Sequence, residues 1–178
     1  MPCLLPADCL NEVFENLEDD KITLHSCLLV SRFWCKISVG ILWRNVWNFK
    51  YSIDYQLILE WDSAILSTLI SCLPNESKEL LHKNEIFIST PTSKPPLFNY
   101  PSFCKILSID KLCLIIIIRN DTSIFPLLGS KDKDYLVVEE LLKMFMNQIF
   151  SLKTLTYYCT YCIPNSIPFL IFPEQKIV

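Results

Sequence analysis

The chain has 178 residues, with 16 lysines and arginines against 19 aspartates and glutamates, and a formal net charge of −3. A hydrophobic fraction of 51% is enough for a packed core and excludes wholesale disorder. The lack of basic surplus argues against binding to nucleic-acid phosphates. With only two glycines, the chain lacks the glycine-rich loops that bind nucleotide phosphates.

The first predicted element is a helix of about three turns that starts at Pro6. Leu10, Val13, Phe14 and Leu17 follow at the i, i+3, i+4 and i+7 spacing of one apolar stripe. Proline is tolerated in a first helical turn, where its missing amide hydrogen is not needed.

A second helix is predicted from Thr23, as its N-cap, to about Ser38. Its apolar side chains fall on two faces, one with Leu24, Cys27, Leu28 and Trp34 and the other with Leu29, Val30, Phe33 and Ile37. A helix that is apolar nearly all round must be covered nearly all round. The N-terminal segment that contains it is too short to bury this surface well by itself. We therefore expect the rest of the chain to cover one face and a partner protein to cover the other.

The middle of the chain predicts a turn at Gly40 and then two more helices. Apolar residues keep helical spacing from a cap at Asp54 to Pro74, which stops the helix, and a short helix follows over 75–82. Residues 89–97 hold three prolines and predict a loop.

The second half predicts helices over about 101–118 and from Asp134 to about Ile149, with a loop over 120–133 between them. The stretch 112–118 suits a helix or a strand, because a short apolar run does not decide between them. Leu152, Leu155 and Tyr157 resemble the start of one leucine-rich repeat, and the tail to residue 178 otherwise looks irregular.

Membrane insertion and secretion are not expected. The apolar run at 112–118 is far shorter than the about 20 residues of a spanning helix. The N-terminus lacks the pattern of a secretory signal, and the nine cysteines are an odd number. We expect reduced thiols and a location in the cytosol or nucleus.

Catalytic and metal-binding patterns are weak. Cys159 and Cys162 have metal-like spacing, but a structural zinc site needs four ligands and no second pair follows. His25 and Cys27 are two residues apart and point in different directions on a helix, and the acids at 19–20 suit a solvated turn. We predict no enzyme activity, no cofactor and no metal.

Residues 3–48 resemble an F-box. The elements that carry the resemblance are Leu5-Pro6-Ala7-Asp8-Cys9-Leu10, Val13-Phe14, Leu17, Leu24, Leu29-Val30-Ser31-Arg32-Phe33-Trp34 and Leu42-Trp43-Arg44. Asp8 stands where the family usually has glutamate, and the turn at 19–22 is slightly long. The wider layout is similar to fungal F-box proteins that continue into leucine-rich repeats.

The resemblance implies a mainly α fold: a three-helix F-box, a helical region over 49–150, and at most a vestigial repeat strand within 151–178. It implies binding to a Skp-type adaptor, and through it to a cullin, as the substrate receptor of a ubiquitin ligase. The adaptor-binding residues it implies are Leu5, Pro6, Leu10, Phe14, Leu17, Leu29, Val30 and Trp34.

Two other hypotheses stay open. An array of leucine-rich repeats needs about three units, so the chain could instead be an adaptor-binding scaffold or a truncated receptor that recruits no substrate. A small thiol or metal protein that uses Cys159 and Cys162 is a further alternative. The sequence does not identify a substrate.

Overall fold

A computed structural model describes residues 6–47, 55–86, 95–120 and 131–157 of the chain. Eight α-helices and two short β-strands account for most of these residues, so the predicted mainly helical fold class is confirmed. Leu5, Asp54, Cys159 and Cys162 lie outside the described residues, as do most of the two predicted loops.

The elements follow one another in the order of their labels. The helices and strands are α1 Ala7–Glu15, α2 Lys21–Leu28, α3 Arg32–Arg44, α4 Tyr55–Cys72, α5 Asn75–Lys83, α6 Tyr100–Phe103, β1 Ile106–Ser108, α7 Ile109–Asn120, α8 Lys131–Gln148 and β2 Thr154–Thr156.

The predicted continuous helix from Thr23 to Ser38 is wrong, because the chain breaks between α2 and α3. The α2 N-cap is Asp20, whose carboxylate accepts a hydrogen bond from the Thr23 amide at 3.0 Å. The α3 N-cap is Ser31, whose hydroxyl accepts from the Trp34 amide at 3.2 Å. Both side chains bind the backbone more favourably as caps than inside a helix, and this places the break.

The turn predicted at Gly40 is also wrong, since Gly40 lies inside α3. The residues around it, Val39, Ile41 and Leu42, are buried, and their burial favours continuing the helix. A Cβ atom at Gly40 would lie 3.6 Å from the Phe103 ring of α6.

The predicted helix over 101–118 is divided into α6, β1 and α7. The stretch 112–118 is helical, which decides the question that the sequence left open. Strand β1 pairs in parallel with β2, with Ile106 opposite Thr154 and Leu107 opposite Leu155. A short strand, β2, therefore lies where the sequence predicted at most a vestigial repeat strand. Helix α8 begins at Lys131, three residues before the predicted Asp134 cap.

The N-terminal helices share one hydrophobic core with the rest of the described chain. Helix α3 packs on α1, α2 and α6, and α6 also packs on α4 and α8. The Trp47 indole donates a hydrogen bond to the Ile106 carbonyl at 2.7 Å, and the Lys105 amide donates to the Arg44 carbonyl at 2.8 Å. These contacts fix the position of α1–α3 against β1.

Candidate partner-binding surface

The stretch from Leu29 to Trp34 comprises the turn between α2 and α3 and the first residues of α3. Ser31 caps α3, and the Trp34 ring packs edge-on against Phe14 with centroids 5.1 Å apart. Leu29 is 79% exposed and Val30 is 60% exposed. These two side chains therefore contribute little to the core of this chain.

The structure divides the predicted adaptor-binding residues into core and surface. Leu10 and Phe14 are buried, and Leu17 and Trp34 are half-buried against the same core. Leu5 lies outside the described residues. The exposed members of the predicted set are Pro6, Leu29 and Val30.

Phe33 extends the exposed surface and was not among the predicted site residues. Its side chain is exposed although the ring is large and apolar. The sequence did carry a signal for it, because Phe33 fell on the same predicted face as Leu29 and Val30. We define the apolar patch as Leu29, Val30 and Phe33.

Other exposed apolar side chains lie on the same three helices. Val13 is on α1 and Ile22 is on α2, and both are more than half exposed. Isolated exposed apolar residues are ordinary on protein surfaces, whereas a group of them marks a candidate interface. The sequence from Val13 to Phe33 carries such a group.

An ion pair joins α1 to the end of α3. The Arg44 guanidinium donates to both carboxylate oxygens of Glu15, at 2.6 Å for the Nη2–Oε1 bond. Hydrogen bonding from Arg44 lowers the pKa of Glu15, burial opposes this effect, and the Arg44 charge adds to it. The pair holds α1 against α3 beside the α1–α2 turn.

A groove runs between α1, α3 and α6, beside the apolar patch. It has a volume of about 530 Å³, and Phe33 lines it together with Ile37 and Phe103. Lys36, Arg44 and Lys105 also line it. The groove thus combines apolar walls with basic side chains.

His25, Cys27 and Cys104 lie in packed or buried surroundings. His25 packs against Trp61 with ring centroids 4.8 Å apart. Burial raises the pKa of Cys27, and the charge of Asp20 adds to the effect. Burial raises the pKa of Cys104 to about 11, although hydrogen bonds and Lys105 oppose it. Among the residues described, no three potential ligands cluster around a possible metal position.

Comparisons with protein-family models, with curated proteins and with solved structures found no match to this chain. Of the helices in the described ranges, none is both long and apolar enough to cross a membrane. None of the six cysteines among the described residues forms a disulfide; they are Cys9, Cys27, Cys35, Cys72, Cys104 and Cys113.

Proposed function

We propose that the chain is the substrate-receptor subunit of a Skp–cullin–F-box ubiquitin ligase, with residues 3–48 as its adaptor-binding segment. The proposal combines the F-box-like sequence with one structural observation. Leu29 and Val30 belong to the F-box-like stretch and are exposed, whereas Ser31 and Trp34 of that stretch have clear structural roles.

Exposing apolar side chains to water is unfavourable, and a partner that covers them removes this cost. Burying a side chain of this size in an interface contributes about 1.5–3 kcal/mol by removing apolar area from water. The Ser31 cap holds the backbone of this turn in place before binding, so little backbone entropy is lost when a partner covers Leu29 and Val30. The apolar patch is therefore suited to interlock with helices of an adaptor.

In this proposal the buried and exposed members of the predicted site have different roles. Leu10, Phe14, Leu17 and Trp34 hold α1 and α3 in the arrangement that presents the patch. Pro6, Leu29 and Val30 contact the adaptor. The protein performs no catalysis itself, and it acts in the cytosol or nucleus, where free thiols persist.

The experiment measures the affinity of the full chain for a purified Skp-type adaptor by calorimetry. A Leu29→Asp, Val30→Asp double variant should bind about a hundredfold more weakly, because two desolvated apolar contacts are lost. Its thermal midpoint should be unchanged, since both side chains are exposed.

A matched control replaces two equally exposed apolar side chains elsewhere, Leu97→Asp with Phe150→Asp. This control should bind the adaptor as the unmodified chain does. Equal affinity of the patch variant and the unmodified chain would refute the assignment of Leu29 and Val30 to the interface.

A further inference from the structure

Uncharged residues of three helices line the groove between α1, α3 and α6. They are Ala7 and Asn11 of α1, Phe33, Ile37, Gly40 and Ile41 of α3, and Ser102 and Phe103 of α6. A Cβ atom built at Gly40 would lie 3.6 Å from the Phe103 ring, so this ring is in contact distance of α3. Most of these lining side chains are apolar.

The charged residues that line the groove are all basic. Lys36, Arg44 and Lys105 line it, and no aspartate or glutamate is among its lining residues in the described part of the chain. Glu15 neutralises Arg44. Lys105 donates to the Ser151 hydroxyl, which carries no charge. Lys36 and Lys105 thus leave a local positive charge on a chain whose formal net charge is −3.

We infer that this groove binds an amphipathic helix of a partner protein, with acidic residues beside its apolar face. A groove between helices accepts the apolar stripe of a third helix at i, i+3, i+4 and i+7. Acidic side chains flanking that stripe would lie opposite Lys36 and Lys105, and this complementarity selects an acidic partner over a basic one.

A small anionic amphiphile fits the observations less well. Small-molecule sites usually bury 70–90% of the ligand surface, whereas this groove is partly open to solvent. A helix covers an open groove with its own backbone and leaves only its polar face in water. The groove shares Phe33 with the apolar patch. The inference still does not rest on the adaptor-binding proposal, because Lys36 and Lys105, the charged residues that carry it, lie outside the residues assigned to adaptor contact.

The test uses three synthetic helical peptides with the same leucine stripe and glutamate, glutamine or lysine at the flanking positions. Fluorescence anisotropy measures the binding of each peptide to the full chain. The glutamate peptide should bind about tenfold more tightly than the glutamine peptide, as expected from two partly exposed ion pairs. The lysine peptide should bind least.

Charge reversal in the protein supplies the second arm. Lys36→Glu should weaken binding of the glutamate peptide and strengthen binding of the lysine peptide. Lys83→Glu, an exposed site on α5 away from the groove, should leave both unchanged. The Leu29→Asp, Val30→Asp variant should keep the preference for the glutamate peptide, so failure of either proposal is distinguishable from failure of the other.

Three results would overturn the inference. One is equal binding of all three peptides, which would mean that charge does not select the occupant. Another is an unchanged peptide preference in Lys36→Glu. The third is saturable binding of dodecanoate together with no binding of any peptide, which would assign the groove to a small amphiphile.

Discussion

The amine of Lys21 is buried at the start of α2, and the side chain is only 5% exposed. Its nitrogen has no hydrogen-bond acceptor among the described residues. Burial lowers the pKa of Lys21, and the charges of Glu18 and Asp19 only partly offset this effect. A charged, unsatisfied amine in this position costs stability.

We predict that Lys21→Met raises the free energy of unfolding by about 1 kcal/mol at pH 7, since methionine keeps an apolar chain and removes the buried charge. Chemical denaturation, monitored by circular dichroism, measures this free energy. Lys36→Met, at an exposed site, is the control and should change stability little. A loss of stability in Lys21→Met would show that the amine is satisfied.

The stability difference between Lys21→Met and the unmodified chain should decrease as pH rises. The folded-state pKa of Lys21 lies below the unfolded value of about 10.4, so the unfolded chain binds the proton more tightly. The penalty is complete below the folded-state pKa and is relieved as pH rises from that value towards about 10.4. The difference in the free energy of unfolding between Lys21→Met and the unmodified chain should therefore become smaller between pH 7 and pH 10. A difference that grows over this range would contradict a buried, unsatisfied amine at Lys21.

The Glu15–Arg44 pair gives the opposite pH dependence. Arg44 lowers the pKa of Glu15 in the folded state below the value in the unfolded chain, about 4.3. The pair therefore stabilises the folded state fully above about pH 4.3, and this stabilisation is lost as the pH falls through the folded-state pKa of Glu15. Both side chains are about one-third exposed. We therefore expect Glu15→Gln to cost only about 0.5–1 kcal/mol at pH 7. Denaturation at pH 7 and at about pH 2 tests this: the difference should vanish in acid, and a difference that persists would contradict it.

At the scale of elements, Gly40 destabilises helix α3 relative to an alanine at the same position. Its Cβ position is in ordinary contact distance of Phe103, at 3.6 Å, and its backbone is helical. Gly40→Ala should therefore raise the free energy of unfolding by about 0.5–1 kcal/mol, because alanine loses less backbone entropy in a helix. A thermal melt measures the change, about 2–4 °C per kcal/mol for a chain of this size. A lowered midpoint would mean that Phe103 does not tolerate the added methyl group.

Apolar spacing and helix-stop signals in the sequence predicted several helices correctly. They failed where the secondary structure depends on contacts between residues far apart in the chain. The apolar stripe of α1 and the stop of α4 before Pro74 both follow from local spacing. Strand β1 does not, since its partner strand β2, with Thr154 opposite Ile106, lies far along the chain. The α2–α3 break was missed because apolar spacing outweighed the capping signal of Ser31.

The sequence likewise predicted the candidate site only in part. The sequence indicated a face that the chain does not cover, and Leu29, Val30 and Phe33 are exposed there. Sequence alone did not separate exposed Leu29 from buried Leu10, because both are apolar and both match the F-box pattern. The groove was missed because Phe103 and Lys105 reach it only through the packing of α6 on α3.

At the scale of the whole molecule, Trp47 connects the N-terminal helices to the remainder. Its ring is buried near Phe145, with centroids 6.3 Å apart, and its indole bonds to Ile106. Trp47→Ala should cost about 3–5 kcal/mol. Because the core is shared, we expect fluorescence and far-UV circular dichroism to report one coincident unfolding transition. Two separated transitions would show that residues 6–47 fold on their own.

Adaptor binding is the central claim of this account, and the most direct measurement is the mass of the complex. The full chain is mixed with a purified Skp-type adaptor, and size-exclusion chromatography with light scattering gives the mass of the product. We predict a stable one-to-one complex that is lost in Leu29→Asp, Val30→Asp and kept in Leu97→Asp, Phe150→Asp. Separate elution of a folded chain and a folded adaptor would contradict the account.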